Sequence, residues 1–302
     1  MQIVRSIDGY RASDGLLLTI GVFDGVHIGH RAVLARLLAR RTAGVLTAAM
    51  TFERHPQAFL NPDRAPKSIT TVDEKVNLLD ACGLDVLFLL QFDERIQTLA
   101  AQTFLEDILL QRLHTRMLVV GDRWRFGKDR AGDGELAEPV LRSAGCGFEA
   151  TPLLERDGEK VSSSRIRQLI EARAFEKADE LLGSPYVVRG IVKAGEGRGH
   201  LLGWPTANIE TAACKLVPTA GVYAASARYD GRDFKAVVSI GDKPTFGGTE
   251  NVIEAYLLGF DGSIYGEQLS LRAWRFLRGQ ERFDDGRALA EQIQRDVDRA
   301  RI

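Results

Sequence analysis

Two histidines three residues apart, His27 and His30, are the residues of this sequence best suited to handling a polyphosphate. They end the segment GVFDGVHIGH, residues 21–30, which directly follows the apolar run Leu16–Ile20. That run is typical of a buried strand, and the glycines after it let the backbone turn close to a bound group. A helical pattern follows, so both imidazoles lie at a helix N-terminus, where unpaired N–H groups attract anions. This arrangement suits the holding of triphosphate oxygens while charge moves onto a leaving pyrophosphate.

Two other interpretations of this segment are open. A strand–glycine–helix junction with a histidine is often only structural, and two histidines at this spacing also occur in metal sites. However, no cysteine stands nearby, and the other histidines are scattered, at His55, His114 and His200. The anion-binding geometry of a helix start therefore favours phosphate handling.

A second segment with chemical potential is GEGRGHLLGWPTANI, residues 195–209. Its candidate residues are Gly195, Arg198, Gly203, Pro205, Thr206 and Asn208. The glycines predict a flexible loop from which Arg198 reaches a phosphate, and the following turn presents Thr206 and Asn208. Their neutral oxygens suit Mg²⁺ where ATP phosphates supply most of the negative charge. The alternative is a glycine-rich hairpin whose threonine and asparagine are structural, but the PTAN run after this loop favours function.

The elements that must position the first segment alternate between strands and helices. The sequence predicts strands over 16–22, 45–52, 86–90 and 117–120, and helices over 30–41, 73–82, 102–112 and 134–144. Such alternation is typical of a parallel sheet covered on both faces. Ligands bind such sheets outside the carboxyl ends of the strands, which is where residues 21–30 would lie.

The second half changes character after residue 184. Short β-like runs follow at 186–191, 222–229, 234–240, 253–260 and 268–276, separated by glycine-rich turns. This pattern is typical of an antiparallel sandwich or barrel. A final helix over 286–300 carries Leu289, Ile293 and Val297 on one face and should pack on the strands. We therefore expect two domains, 1–183 and 184–302.

The composition argues against several classes of protein without excluding a nucleic-acid-binding one. With 302 residues, 45% of them hydrophobic and 27% charged, the chain is long and apolar enough for two ordered domains. The net charge of −1 provides no basic field for nucleic acid. The three cysteines lack metal-site spacing, and no segment has the length of a membrane span or a signal core. We expect a cytoplasmic protein with no nucleic-acid or membrane partner.

Two further segments of the first half fit a nucleotide site. In VSSSRIRQLI, residues 161–170, the serines can cap a helix whose first turn holds Arg165 and Arg167. Cations there oppose the helix dipole, so they indicate a nearby anion. In VGDRWRFGKDRAGD, residues 120–133, basic and aromatic side chains alternate among glycines. Such a loop can wrap a phosphate or a flavin ring, although a solvated loop is the common alternative.

In order and spacing, these motifs resemble those of bacterial bifunctional riboflavin kinase/FAD synthetases. In the family's notation, the first half follows GxFDGxHxGH, TFxPHP, VGxDFxFGxxRxGD, SSTxIR and LLGRPY. The second half follows GxGRGxxLGxPTAN and continues through PTAGVYAA, SIGDKPTFGG, VIEAYLLGF, IYGEQLSL and LRGQERF. The resemblance covers residues 15–300. It implies an α/β nucleotidylyltransferase domain with a Rossmann-like parallel sheet, followed by an antiparallel six-stranded β-barrel riboflavin kinase domain with a C-terminal helix.

The resemblance also implies two reactions and the residues that perform them. ATP with Mg²⁺ would phosphorylate riboflavin to FMN, and a second ATP would adenylylate FMN to FAD with release of pyrophosphate. Glu254 would be the general base of the kinase, and His27 and His30 would serve adenylyl transfer. The implied ATP- and phosphate-binding residues are Gly21, Phe23, Asp24, Gly25, Ser163, Ser164, Arg167, Gly195, Arg198, Gly203 and Pro205. The implied flavin-binding residues are Phe126, Gly127 and Arg278, and the implied metal ligands are Thr206 and Asn208. The partners would be small molecules alone, with a monomer or a weak homo-oligomer.

The chain departs from the family pattern at a few positions: Arg54 for proline, Arg123 for Asp or Asn, Trp124 for phenylalanine, Arg173 for glycine, Ser184 for arginine and Ser239 for asparagine. Arg123 replaces an acceptor by a cation near the expected ATP site. A riboflavin kinase with an impaired adenylyltransferase domain is therefore one alternative. A flavin-binding regulatory protein is another, but a binding protein has no need of a base such as Glu254.

Overall fold

The computed structural model describes residues 1–11, 15–194, 203–245 and 248–301, with the backbone alone over 242–245 and 248–251. Its contacts divide the chain into two compact units, Met1–Ser163 and Ser164–Ile302. None of the described helices is long and apolar enough to cross a membrane.

The first unit is built on a six-stranded, all-parallel sheet, which confirms the predicted fold class. Its strands are β1 (Gln2–Val4), β2 (Leu16–Ile20), β3 (Leu46–Phe52), β4 (Val86–Leu90), β5 (Thr115–Gly121) and β6 (Gly147–Thr151). They lie in the order β1-β4-β3-β2-β5-β6. The chain moves outward from β2 to one side and later returns to its other side with β5. The carboxyl end of β2 is therefore at a switch point, where parallel sheets bind ligands.

Helices cover both faces of this sheet. They are α1 (Ile28–Leu38), α2 (Gln57–Leu60), α3 (Val72–Asp80), α4 (Glu94–Thr98), α5 (Ala101–Thr103), which continues as a π-helix over Phe104–Arg112, and α6 (Gly134–Ser143). Leu16 and Leu18 of β2 pack into a core with the π-helix and α6. Leu17, between them, packs into a second core with α1 and α3. Successive side chains of a strand point to opposite faces, so the apolar run of β2 fills both cores. A small hairpin of β7 (Glu155–Arg156) and β8 (Glu159–Lys160) follows.

The second unit is a closed antiparallel barrel preceded by two helices. The helices are α7 (Ser163–Glu171), whose first residue closes the first unit, and α8 (Phe175–Leu182). The strands are β9 (Val188–Lys193), β10 (Ala207–Glu210), β11 (Gly221–Tyr229), β12 (Arg232–Thr245), β13 (Gly248–Leu257) and β14 (Gln268–Arg278). They close in the order β10-β13-β12-β11-β14-β9, which confirms the six-stranded barrel.

The C-terminal helix α9 (Gly286–Arg301) packs on the outside of this barrel. Val297 and Ala300 of the helix join a buried cluster with Val222 and Ala224 of β11. The helix was predicted over 286–300 from the spacing of its apolar residues, and its position on the strands confirms the prediction.

The structure differs from the sequence prediction in two segments that matter for the sites. The PTAN run was expected in a turn, but Ala207–Glu210 forms strand β10. Ala207 and Ile209 are buried, whereas Asn208 between them is half-exposed, as the alternation of a strand requires. The predicted helix over 102–112 is a π-helix over most of its length.

Candidate active sites

His27 stands at the start of helix α1, and its ring lies against the ring of His30. Its Nδ1 accepts the backbone N–H of His30 at 3.2 Å, so it caps the helix. A neutral imidazole whose Nδ1 accepts carries its proton on Nε2. The rings of His27 and His30 stack with centroids 3.6 Å apart and planes 15° from parallel. The rings of Phe23 and His30 form a T-shaped pair with their centroids 5.2 Å apart.

Both imidazoles are neutral near pH 7. Burial lowers the pKa of His27 to about 4, although the nearby charge of Asp24 acts in the opposite direction. Burial likewise lowers the pKa of His30 well below its usual value, and the nearness of the His27 ring and of the Lys75 ammonium adds to that effect. The Nδ1 of His30 is buried and has no hydrogen-bond partner among the described residues. The pair therefore offers hydrogen bonds rather than positive charge.

The loop that leads into α1 is fixed by hydrogen bonds to two other segments. The Asp24 carboxylate accepts the backbone N–H groups of Ile69 at 3.2 Å and Thr70 at 3.1 Å. The Thr70 hydroxyl accepts the N–H of Gly25, whose φ of +83° no bulkier residue adopts easily. The Ser163 hydroxyl donates to the backbone carbonyl of Asp24 at 2.9 Å. The structure therefore brings Ser163, at the start of α7, to the histidine loop. Ser164 and Arg167 follow on that helix, exposed and half-buried respectively.

Lys75 is a buried residue of this region that the sequence reasoning missed. Its ammonium donates to the carbonyl oxygens of Phe52 and of Val22, the latter at 3.4 Å. The Thr51 hydroxyl donates to the same Val22 carbonyl at 2.9 Å. Lys75 thus ties the end of β3 to the loop after β2. The available signal was a lysine directly after the capping box of Thr71 and Glu74, which marks the start of α3.

A cavity of about 760 Å³ lies at the carboxyl edge of the parallel sheet. Its lining includes Gly21, Phe52, Leu90, Trp124, Phe126 and Gly127. The rings of Trp124 and Phe126 stack at 4.1 Å. Gly127 has a φ of +73°, and a Cβ there would lie 2.7 Å from the Cα of Ala101. Phe126 and Gly127 therefore share one cavity with Gly21, and its size suits a nucleotide or a flavin.

Charged side chains surround this cavity mostly as ion pairs. The lining arginines with acidic partners are Arg5 with Glu53, Arg95 with Asp93, Arg112 with Asp8, and Arg125 with Asp133. Arg54 and Arg123, at two departures from the family pattern, are both exposed and do not line the cavity. The Arg123 side chain therefore does not fill the cavity at the carboxyl ends of the strands.

In the barrel, β10, β13 and β12 align three polar side chains in one row. Asn208 lies directly opposite Glu254, and Glu254 lies directly opposite Ser239 on its other side. Residues that pair in this way share a face of the sheet. Ile253 and Ala255, on either side of Glu254, are buried, whereas Glu254 itself is half-exposed. The structure therefore brings Asn208 and Glu254 together.

The neutral side-chain oxygens near this row are of the kind that would bind Mg²⁺ together with the phosphates of ATP. Thr206 is two residues before Asn208, and both are half-exposed. No cluster of three or more His, Cys, Asp or Glu that could hold a metal occurs within the described residues. Neutral oxygens are what such a site provides when phosphates supply the remaining ligands. Gly203, with a φ of +82°, and Pro205 are exposed before β10. The predicted residues Gly195 and Arg198 lie outside the described part of the chain.

Two arginines of the second unit make contacts that the sequence did not predict. Arg278 forms a two-point ion pair with Asp296 of α9, at 2.8 and 2.9 Å, with its side chain 13% exposed. Its donors thus hold the C-terminal helix on the barrel. Arg173 has a φ of +63°, in the left-handed region that favours glycine, and its guanidinium lies 3.8 Å from the ring centroid of Phe276. It also donates to the Thr219 hydroxyl and to the carbonyl of Ala220.

The fold and these sites define a nucleotide-handling enzyme of two units. The family model for FAD synthetase matches residues 10–165, and that for riboflavin kinase matches residues 182–302. This chain belongs to the bifunctional riboflavin kinase/FMN adenylyltransferase family.

Curated relatives cover the chain almost completely. The bifunctional riboflavin kinase/FMN adenylyltransferase of Pseudomonas fluorescens is 36% identical over 100% of this chain and 97% of its own length. Those of Escherichia coli (strain K12) and Bacillus subtilis (strain 168) are each 34% identical, over 98% and 94% of this chain and 96% and 91% of their own lengths. A crystal structure described as a macrolide-efflux protein from Streptococcus pneumoniae has a TM-score of 0.87 and 28% identity over 99% of this chain and 98% of its own.

Proposed function

We propose that the barrel unit phosphorylates riboflavin and that the parallel-sheet unit transfers AMP from ATP to the FMN so formed. The substrates of this family are riboflavin, FMN and ATP, and the two family models cover the two halves separately. One observation carries the assignment: each unit has its own groups for handling ATP. These are the stacked histidines at the start of α1 in the first unit and the Asn208–Glu254 pair in the second.

For the kinase reaction we assign Glu254 as the general base. Its carboxylate would take the proton of the primary hydroxyl of riboflavin as that oxygen attacks the γ-phosphorus of ATP, and ADP would leave. A carboxylate beside buried apolar residues meets the requirement for a base within reach of the attacking hydroxyl. Thr206 and Asn208 would hold Mg²⁺, which neutralises phosphate charge when bound with ATP. Gly195, Arg198, Gly203 and Pro205 would surround the phosphates.

For adenylyl transfer we assign no covalent enzyme intermediate. A phosphate oxygen of FMN would attack the α-phosphorus of ATP, the bond to the bridging oxygen would break, and pyrophosphate would leave. The Nε2–H of His27, together with His30 and the N-terminus of α1, would donate hydrogen bonds to the phosphate oxygens as charge develops. Binding of FMN and ATP side by side would also accelerate the reaction, because it holds the attacking oxygen and the α-phosphorus in a reactive orientation.

The other predicted residues of the first site have supporting roles in this proposal. The turn of Gly21, Phe23, Asp24 and Gly25 would shape the backbone around the phosphates. Ser163, Ser164 and Arg167 would close over them, and the stacked Trp124 and Phe126 support a planar ligand in the cavity with Gly127. An alternative, a kinase with weakened adenylyl transfer, is motivated by Arg123, but the exposed position of that residue outside the cavity lining disfavours it.

We also propose a functional boundary near residue 184, cytoplasmic location, a monomer or weak homo-oligomer, and no nucleic-acid or membrane partner. The net charge of −1 supports the absence of a nucleic-acid partner. Measurable binding to nucleic acid that weakens steeply with salt would favour the regulatory alternative instead.

Two variants test the division of labour between the units. With riboflavin, ATP and Mg²⁺, Glu254→Gln should abolish the formation of FMN, but it should still convert added FMN to FAD. His27→Asn keeps a capping side chain but loses the imidazole, so it should form FMN from riboflavin and little FAD. Loss of both products in either variant, with the protein folded, would contradict separate sites.

A further inference from the structure

The segment that follows strand β1 forms one wall of the cavity at the carboxyl edge of the parallel sheet. Its four consecutive residues Arg5, Ser6, Ile7 and Asp8 all line the cavity, and we call this segment the strap. Strand β1 stands at one end of the strand order and pairs with β4 alone. The strap therefore bounds the cavity beyond the outermost strand of the sheet on that side.

Two ion pairs of opposite polarity tie the strap to two other walls of the cavity. Arg5 is the cation of the strap, and it pairs with Glu53, which directly follows β3. Asp8 is the anion of the strap, and its carboxylate accepts from Arg112, the last residue of the π-helix. Glu53 and Arg112 line the same cavity. All four side chains have access to solvent, so each pair is a modest tie.

Apolar contacts anchor the strap beneath these ion pairs. Ile7 packs against the core that the sheet shares with the π-helix and α6. Tyr10, two residues beyond the strap, packs against the same core, and its ring forms a T-shaped pair with Phe88 of β4 at 4.9 Å between centroids. The apolar contacts thus fix the middle of the segment, and the ion pairs fix the two ends of the strap.

The strap lies at the end of the cavity that is distant from the histidine loop. In the order β1-β4-β3-β2, three strand spacings of about 4.8 Å separate the two, or about 14 Å. A substrate whose phosphate lies at the histidines would therefore place its other end near the strap. The lining there includes the apolar side chains of Ile7, Leu90 and Ile108. They suit the apolar dimethylbenzene end of a flavin ring better than adenine, whose edge carries nitrogen atoms that need partners.

We propose that the strap is the wall that confines the ring of FMN, and that Arg5 and Asp8 are positioning residues that hold this wall in place. The inference rests on the proposed adenylylation of FMN by the first unit. Neither side chain has to touch the flavin, because each acts through its ion pair, with Glu53 or with Arg112.

The position of the strap determines which kinetic constant it affects. The ring end of FMN is far from the phosphate that reacts, so its contacts are the same in the bound substrate and in the transition state. Contacts of that kind lower KM without raising kcat. Release of the strap should therefore weaken the binding of FMN and leave the chemical step unchanged.

The opposite charges of Arg5 and Asp8 make the test specific. In the adenylylation of FMN by the full chain, Arg5→Ala and Asp8→Ala should each raise KM for FMN about threefold. The double variant should raise it about tenfold, because the two ties are independent. In all three variants kcat and KM for ATP should stay nearly unchanged. If the two charges acted directly on the anionic FMN instead, the single variants would move KM in opposite directions.

Two controls accompany these variants. Arg142→Ala removes an ion pair of similar exposure with Glu138 on α6, away from the cavity lining, and should leave every constant unchanged. Phosphorylation of riboflavin by each preparation should keep the wild-type rate, and the retained kcat for adenylylation shows that the first unit is folded.

Three outcomes would overturn the inference. One is a KM for FMN that stays at the wild-type value in both single variants. Another is a change of KM in opposite directions, which would indicate a direct effect of charge. The third is an equal rise of KM for FMN and ATP, or a fall in kcat alone, which would place the effect away from the flavin ring. Absence of FMN adenylylation by the wild type would instead overturn the proposed function of the first unit.

Discussion

At the scale of single residues, His27 combines a structural and a chemical task. Its Nδ1 caps α1, and this bond exists while that nitrogen is unprotonated. Protonation of His27 would therefore cost the cap and place a cation on the positive end of the helix dipole. Burial, which lowers its pKa to about 4, keeps the ring neutral near pH 7.

The lowered pKa of His27 predicts a loss of stability in mild acid. The unfolded chain binds a proton at this residue below its usual pKa of 6.5, whereas the folded chain does so near 4, so stability falls as the pH falls through that window. Between pH 7.5 and 5 the contribution is about 2 kcal/mol. The test is urea denaturation at the two pH values. Between pH 7.5 and 5, the free energy of unfolding should fall by about 2 kcal/mol less in His27→Asn than in the wild type. The control is His114→Asn at an exposed histidine, and equal pH dependence in wild type and His27→Asn would contradict the assignment.

Lys75 provides a second prediction at this scale. Replacing it by methionine keeps the volume of its stem but removes the buried donor that joins the carbonyls of Val22 and Phe52. The loop before the histidines would then shift, and kcat/KM for adenylylation of FMN should fall at least tenfold, since small displacements of positioned groups are costly. Phosphorylation of riboflavin in the same preparation should keep its wild-type rate. Equal losses in both activities would show that Lys75→Met only unfolds the protein.

At the scale of elements, the C-terminal helix is held on the barrel by a buried ion pair. Asp296 of α9 is 1% exposed and Arg278 of β14 is 13% exposed, and their contact is bidentate. Removing one partner of such a pair leaves a buried charge without compensation. Asp296→Ala should therefore lower the free energy of unfolding by about 3 kcal/mol, measured by urea denaturation.

The double variant Arg278→Met with Asp296→Leu separates anchoring from flavin binding. Apolar replacements of a buried pair often restore stability, so the double variant should unfold at higher urea than Asp296→Ala. If Arg278 served the helix alone, KM for riboflavin would stay unchanged in the double variant. A raised KM would add the flavin role that the family resemblance implies for Arg278.

The elements of the chain were largely predictable, but their pairing was not. Leu16–Ile20 is apolar except for Thr19 because its side chains pack into two cores, and the spacing of Leu289, Ile293 and Val297 marks α9 clearly. Strand β10 has four residues, and its pattern of Ala, Asn, Ile and Glu is too short to distinguish from a turn. The placement of Asn208 beside Glu254 depends on residues far apart in sequence, so local patterns carry no trace of it.

In the candidate sites, too, the features formed by residues close in sequence were predictable, and the tertiary contacts were not. The histidine loop was predictable because the helix start, the glycines and both imidazoles are neighbours in the sequence. Lys75 and the ion pair of Arg278 were not, because each reaches its partner through tertiary contacts. The neutrality of His27 and His30 likewise depends on their burial, which the sequence alone does not specify.

At the scale of the whole molecule, one chain contains two compact units, and we have proposed a separate set of ATP-handling residues in each. The family has both activities, and the order of its two models along this chain is the order of the two units. The product of one reaction, FMN, is the substrate of the other, so a single preparation should perform both steps in sequence.

The most direct test of this account is a chromatographic analysis of the products formed by the purified full chain. One reaction would start from riboflavin with ATP and Mg²⁺, and a parallel reaction would start from FMN in its place. The account predicts FAD from both starting compounds, with FMN accumulating first in the reaction from riboflavin. FMN from riboflavin without FAD from either compound would contradict an active first unit, and the absence of both products would contradict the account as a whole.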